Sequence, residues 1–264
     1  MRIAFLTFEF PDARPGGIGA YVLKCALALA EAGHEPHIFT LTLPENIRQR
    51  LPSGVYLHEV QDIAQRVEAG TLAPMLAAAA LSGPQSAYKL LVGALLCDAL
   101  RSEHRVHPFD IAEAAEWESL ALPILLRPVP NLPVVVQIHL GSAANSLGNS
   151  AAAEARDDLA EALELASIVA ADAVCAATQS IVDVTRRLCP FERDVTIIPY
   201  PVEINVEERI APSPEDGAVL FVGRLQPRKG CHIFAAAADI FLRRNPLATI
   251  HVAGSDTNLG AGNQ

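Results

Sequence analysis

The sequence predicts an α/β protein built on a doubly wound parallel sheet, followed by the opening of a second unit of the same kind. Three observations point there. Short apolar runs alternate with longer segments of helical periodicity, the order that produces βαβ units. The run LPVVVQIHL at 132–140 is apolar at nearly every position, as a parallel strand covered on both faces must be. A polar, Pro-rich stretch, NVEERIAPSPEDG at 205–217, then separates this body from a further strand–helix–strand series.

Taken in order, RIAFLTF (2–8) reads as the first strand, and a Pro/Gly loop leads into a helix over 18–33. That helix stops at Gly33, a residue suited to the left-handed position after a helix end. HEPHIFTLT (34–42) is the second strand, completing a β–loop–α–β unit. The Ala/Leu-rich segment 61–107 predicts two or three helices broken near Pro74 and Gly83-Pro84. Strands are expected at 109–117, 132–140, 171–178 and 195–204, with helices at 150–168 and 179–189. Beyond the linker come a strand at 218–223, a helix at 230–244 and a strand at 247–253. The domain reading is an N-terminal domain over 1–205, a linker over 206–217 and a partial C-terminal domain over 218–264.

Composition narrows the function classes. The 264 residues carry a net charge of −10, all of it within residues 1–205, so an acidic body argues against nucleic-acid or anionic-membrane binding. LLVGALLCDAL (90–100) is too short to span a bilayer. The N-terminus is not expected to be a signal peptide, because Glu9 and Asp12 arrive too early. The five cysteines are far apart with no metal-ligand spacing, which predicts reduced thiols, no metal and a cytoplasmic protein.

Four places bear chemistry. PDARPGGIGAY (11–21) puts Gly16, Gly17 and Gly19 between a strand and a helix N-terminus, where free amides suit an anion. The glycines do not follow the dinucleotide pattern, since Val22 stands at the third glycine position and Thr40 where an acid is wanted. A flexible turn is the plainer reading. His139 ends a buried strand on the loop side; a satisfied core histidine is its plainer alternative. Glu116 and Trp117 end another strand and are possible cleft residues. In AVLFVGRLQPRKG (218–230), Arg224 follows the strand and Lys229 precedes a helix start. Two cations beside helix amides suit a diphosphate, whereas Arg228 reads as a solvated cation.

PGGIGAYVLKCALALAEAGHEPHIFT, VQIH, ADAVCAATQSI and VGRLQPRKG, in this order and spacing, resemble the GT4-type retaining glycosyltransferases of GT-B fold. The resemblance implies two Rossmann-like domains, the first on the acceptor side and the second, here incomplete, on the donor side. It implies transfer of a hexosyl group from a nucleotide-diphosphate sugar, with retention, to an unidentified sugar, glycan or glycolipid acceptor. By resemblance Gly16 and Gly17 contact the donor diphosphate, His139 lies beside the transferred sugar, and Arg224 and Lys229 stabilise the leaving diphosphate. No cofactor or metal is implied. The family's paired-glutamate donor segment lies downstream of the Lys-Gly turn and is not reached before residue 264. That implies a truncated, inactive transferase, able to self-associate through its partial second domain. The alternative is a non-catalytic glycan-binding or assembly module whose donor half comes from a partner chain. A sugar-phosphate or sucrose-type synthase of the same fold is a third reading.

Overall fold

A computed structural model describes residues 1–51, 53–82, 85–148, 158–202 and 218–255. The expected linker at 206–217 lies outside the described residues. The chain divides into two compact units, the first made of Met1–Ala143 and Asp157–Val202, the second of Ala144–Arg156 and Glu203–Gln264.

In the first unit, β1 (Arg2–Leu6), β2 (Glu35–Leu41), β3 (Tyr56–Val60), β4 (Ile111–Ala115), β5 (Val134–Ile138), β6 (Ala173–Ala176) and β7 (Thr196–Ile197) form one sheet. Their order is β3-β2-β1-β4-β5-β6-β7, and each pairing is parallel. The chain starts in the middle, winds to one edge, then returns past β1 to build the other side. The reversal falls between β1 and β4, and in such sheets the crevice at the carboxyl ends there is where ligands bind.

The described helices up to residue 202 are α1 (Gly17–Glu31), α2 (Glu45–Arg48), α3 (Ile63–Glu68), α4 (Pro74–Ser82), α5 (Gln85–Val106), α6 (Leu122–Leu125), α7 (Ser142–Gly148), which starts in the first unit and continues in the second, α8 (Asp158–Ala170) and α9 (Gln179–Leu188). Alternation along β1 explains the layers. Ile3 and Phe5 pack on one face with Val22 and Ala26 of α1. Ala4 and Leu6 pack on the other with Val92, Leu96 and Leu100 of α5. Both faces are therefore covered, which is why the central strands tolerate no polar alternation. Gly33 takes the left-handed conformation with φ 81°. Its N–H reaches Ala30 O and the His34 N–H reaches Leu29 O, the paired bonds that close a helix end when a glycine follows it.

Some expectations change. Strand β3 and the short α2 were not expected; β3 is an edge strand of five residues in which His58 and Glu59 interrupt the apolar pattern. Of the strand expected over 195–204, the described part pairs only at Thr196–Ile197, because Pro199 and Pro201 have no N–H to donate to a ladder; residues 203 and 204 lie outside the described residues. The helix break at Pro74 is seen, as α4 begins there; Gly83 and Pro84 lie outside the described residues. The helix expected at 150–168 is described from Asp158 onward.

In the second unit, β8 (Val219–Val222) and β9 (Ile250–Ala253) pair in parallel, with α10 (Cys231–Arg244) between them in sequence. The Phe221 ring meets Phe234 of α10 at 4.9 Å between centroids, while Leu220 and Val222 point away and are exposed.

Candidate functional site

The loop after β1 is organised by Glu9. Its Oε2 accepts the N–H groups of Ile18 at 2.9 Å and Gly19 at 3.1 Å, while Thr7 Oγ1 donates to the Glu9 carbonyl. The amides at the start of α1 therefore already hold a carboxylate, the same interaction that favours any anion at a helix N-terminus. Gly16 is extended (φ −166°), so no special backbone angle demands glycine. Space does, because a Cβ there would lie 1.9 Å from the Glu9 carboxyl carbon. Gly17, by contrast, faces open space.

His139 stands one residue beyond β5 and is mostly buried among aromatic rings. Tyr21 meets it edge-on at 4.9 Å and Tyr200 tilts against it at 5.3 Å. The Tyr200 hydroxyl lies 2.5 Å from His139 Nδ1, and Nε2 is buried with no partner. Burial lowers the imidazole pKa to about 4, so the ring is neutral near pH 7. Tyr21 continues the network by donating to Glu113 Oε1 at 2.9 Å.

Glu116 and Trp117, read together as cleft residues, part company. Glu116 is 1% exposed, and its Oε2 accepts the His139 backbone N–H at 2.8 Å. Oε1 is buried and unpartnered. Burial, reinforced by the nearby Glu164 carboxylate, raises its pKa to about 8, so near neutral pH it holds a proton. Its role is to fix the backbone beneath His139. Trp117 instead lines an open cleft of about 260 Å³ beside Phe8, Glu9, Arg14, Lys89 and Glu118.

Tyr21, Glu113, Lys89, Glu118 and Tyr200 were not singled out from the sequence. Glu118 had a signal: acids at 116 and 118 flanking the only tryptophan, directly after an apolar strand. Tyr200 and Tyr21 had none, because only folding brings them to His139.

In the second unit, Gly223 (φ 154°) turns the chain at the end of β8. A 3-10 turn over Pro227–Lys229 ends at left-handed Gly230, from which α10 starts. Arg224 and Lys229 are exposed and have no ion-pair partner among the described residues. Arg228, read as solvated, is half-buried, with a buried and unpartnered Nε. Burial lowers its pKa, and the neighbouring Arg224 adds to this. Among the described residues no His, Cys, Asp and Glu grouping could hold a metal ion, and no helix is long and apolar enough to cross a membrane.

A parallel sheet with its residues of interest gathered at the strand carboxyl ends defines an α/β protein of Rossmann-like, GT-B type. The backbone resembles that of the sucrose-phosphate synthase of Thermosynechococcus elongatus, with a TM-score of 0.65 at 17% identity over 96% of this chain and 70% of that one. It also resembles the catalytic domain of Arabidopsis thaliana starch synthase IV, with a TM-score of 0.57 at 11% identity over 97% of this chain and 69% of that one. Residues 16–201 match the glycosyl transferase 4-like domain. The chain belongs to that family. Among its relatives, a Mycobacterium tuberculosis glycogen synthase is 26% identical over 97% of this chain and 62% of its own length. A Nocardia farcinica D-inositol 3-phosphate glycosyltransferase is 27% identical over 95% of this chain and 57% of its own. The chain thus spans roughly three fifths of the curated relatives it matches.

Proposed function

We propose that this chain forms the acceptor side and part of the donor side of a retaining glycosyltransferase, moving a hexosyl group from a nucleotide-diphosphate sugar to a carbohydrate acceptor. The observation that supports it most is His139: a neutral, buried imidazole at a strand end beside the topological switch point, with Nε2 unpartnered. A neutral ring there can exchange hydrogen bonds with a sugar hydroxyl without placing a second positive charge near the reacting carbon. Among the described residues, no carboxylate pairs with Arg224 or Lys229. They suit a leaving diphosphate, whose growing negative charge such groups stabilise. Gly17 is the more open of the two glycines for a diphosphate oxygen; Gly16 sits against Glu9. With two cations supplying the positive charge, the reading requires no metal ion.

The test, on this chain completed by a donor half, is a transfer assay with UDP-, GDP- and ADP-sugars, reading product anomeric configuration by NMR. Arg224→Ala and Lys229→Ala should each lower kcat/KM on the order of a hundredfold, and His139→Ala should lower kcat more than nucleotide affinity. Near-normal turnover in both cation variants removes the diphosphate role, and an inverted product removes retention.

A second reading is favoured by the bareness of residues 218–255, none of which is a buried apolar residue. In it the chain binds glycan, does not turn over by itself, and self-associates or receives its donor half from a partner. Transfer activity that appears only when a second protein is added would select this reading.

A further inference from the structure

The cleft beside Trp117 has a chemistry of its own. Phe8 and Trp117 offer aromatic surface, and two carboxylates, Glu9 and Glu118, line the cleft with Arg14 and Lys89. Neither cation is free. Lys89 is 7% exposed, its Nζ bonds Glu118 Oε1, and it stands 3.3 Å above the Phe8 ring centroid. Above about pH 7, where Glu118 is ionised, its carboxylate cancels the Lys89 charge. Arg14 spends its donors inward. Nε bonds Phe8 O at 2.8 Å, Nη1 reaches Thr42 O, and Nη2 reaches Leu41 O and the Thr40 hydroxyl. That commits four of the five guanidinium N–H groups.

The backbone adds an independent sign. Glu118 and Ser119 both adopt left-handed conformations, with φ 69° and 52°. Each non-glycine residue held there costs on the order of 1 kcal/mol or more, and such strain persists where the surroundings over-determine it. Here it aims a carboxylate at the wall of an open cleft and at Lys89 rather than letting the turn relax. The loop that carries Glu9 and Arg14 is similarly tight, since Asp12 has φ 62° and Phe10 bridges Arg14.

We propose that this cleft binds the acceptor as an uncharged sugar or polyol, and that Glu118 sets this selectivity by cancelling Lys89. The assignment to the acceptor rests on the transferase reading above; the choice of an uncharged ligand rests on the cleft alone. A hexose presents one apolar C–H face and a rim of hydroxyls. The rings of Trp117 and Phe8 can cover the first, and carboxylate oxygens accept hydrogens from the second, a bond stronger than a neutral pair. A phosphate would meet the Glu9 carboxylate, a Lys89 charge already paired by Glu118, and an Arg14 whose donors are turned to protein oxygens.

Trp117 is the chain's single tryptophan, so its emission reports this cleft directly. The full chain is titrated with glucose, myo-inositol and maltotriose, and with glucose 6-phosphate and inorganic phosphate. Saturable changes are expected with at least one neutral probe, with glucose 6-phosphate about tenfold weaker than glucose and no change with phosphate. Glu118→Gln uncovers the Lys89 charge. It should weaken the neutral probe about tenfold and make glucose 6-phosphate the better ligand, a reversal that loss of packing alone would not give. Should that variant fail to show a native melting transition, Lys89→Met decides: neutral binding persists and glucose 6-phosphate weakens further. A wild-type chain that prefers glucose 6-phosphate, a chain whose emission answers no probe, or a Lys89→Met chain that binds both alike overturns the proposal. Donor hydrolysis measured in parallel separates the two readings. Turnover without a neutral-sugar response overturns only the cleft, and sugar binding without any use of donor, even with a donor half supplied, overturns only the transferase.

Discussion

Three glutamates at the end of β4 sit where a carboxylate ionises poorly. Burial raises Glu113 to about 7, against the Tyr21 hydroxyl bond that lowers it. Burial and Glu164 raise Glu116 to about 8. Burial raises Glu118 to about 7 despite Lys89. Each folded-state value lies above the ordinary one, so the folded protein binds more protons than the unfolded chain between about pH 4.5 and 8. Stability from these groups is complete below that window and is lost as pH rises through it. His37 and His139, both lowered to about 4 mainly by burial, act in the opposite sense up to about pH 6.5. The carboxylate effect is therefore clearest from pH 6.5 to 8. Thermal melts should show Tm falling across that interval, and Glu116→Gln should flatten the fall, since each pKa unit corresponds to about 1.4 kcal/mol. A Tm that stays level in wild type, or an equal slope in the variant, refutes the assignment. The sequence showed that acids and an aromatic end this strand. Which of them is buried depends on the left-handed turn at Glu118 and Ser119, which no residue type there demands.

At the scale of the element, the α1 N-terminus shows how a motif can be legible while its occupant is not. The glycines between β1 and α1 read from sequence as an open anion site. In the structure the Glu9 carboxylate fills part of it, and a carboxylate eight residues before the helix is no local capping pattern. A Cβ at Gly16 would meet only the far end of the Glu9 side chain, so an added methyl would be accommodated by expelling that carboxylate. Glu9→Ala should cost about 1 kcal/mol, as loss of a helix N-terminal cap does. Gly16→Ala should cost about as much, for the same lost bonds. The double variant should then cost scarcely more than either single one, a coupling that urea unfolding of the four proteins measures directly. Additive losses would mean that Gly16 is required for another reason. The central strands were easier to read, because burial on both faces leaves β5 almost wholly apolar. Edge strand β3 was not, because half its residues need no core.

At the scale of the whole molecule, the two units differ in what holds them. The first has buried apolar clusters on both faces of its sheet, with Leu6, Phe39, Leu96 and Ile138 all inaccessible to solvent; each contributes roughly 1.5–3 kcal/mol. In the second, β8 alternates between a face covered by α10 and a face left bare, where Leu220 is 60% and Val222 73% exposed. The described residues of this unit form a two-stranded sheet with one long helix, and a sheet of that size with an apolar face bare is marginal in water and invites pairing with other chains. Hydrogen exchange should therefore show slow amides through β1, β4 and β5 and fast ones through β8 and β9 in dilute solution. At higher concentration, size-exclusion chromatography should show association. Leu220→Lys with Val222→Lys should abolish that association while leaving the main melting transition within about 0.5 kcal/mol of wild type, as substitutions at solvent-exposed positions do. Equal protection in both units, or association that survives the double substitution, would mean that the bare face of β8 is already served by contacts within a single chain.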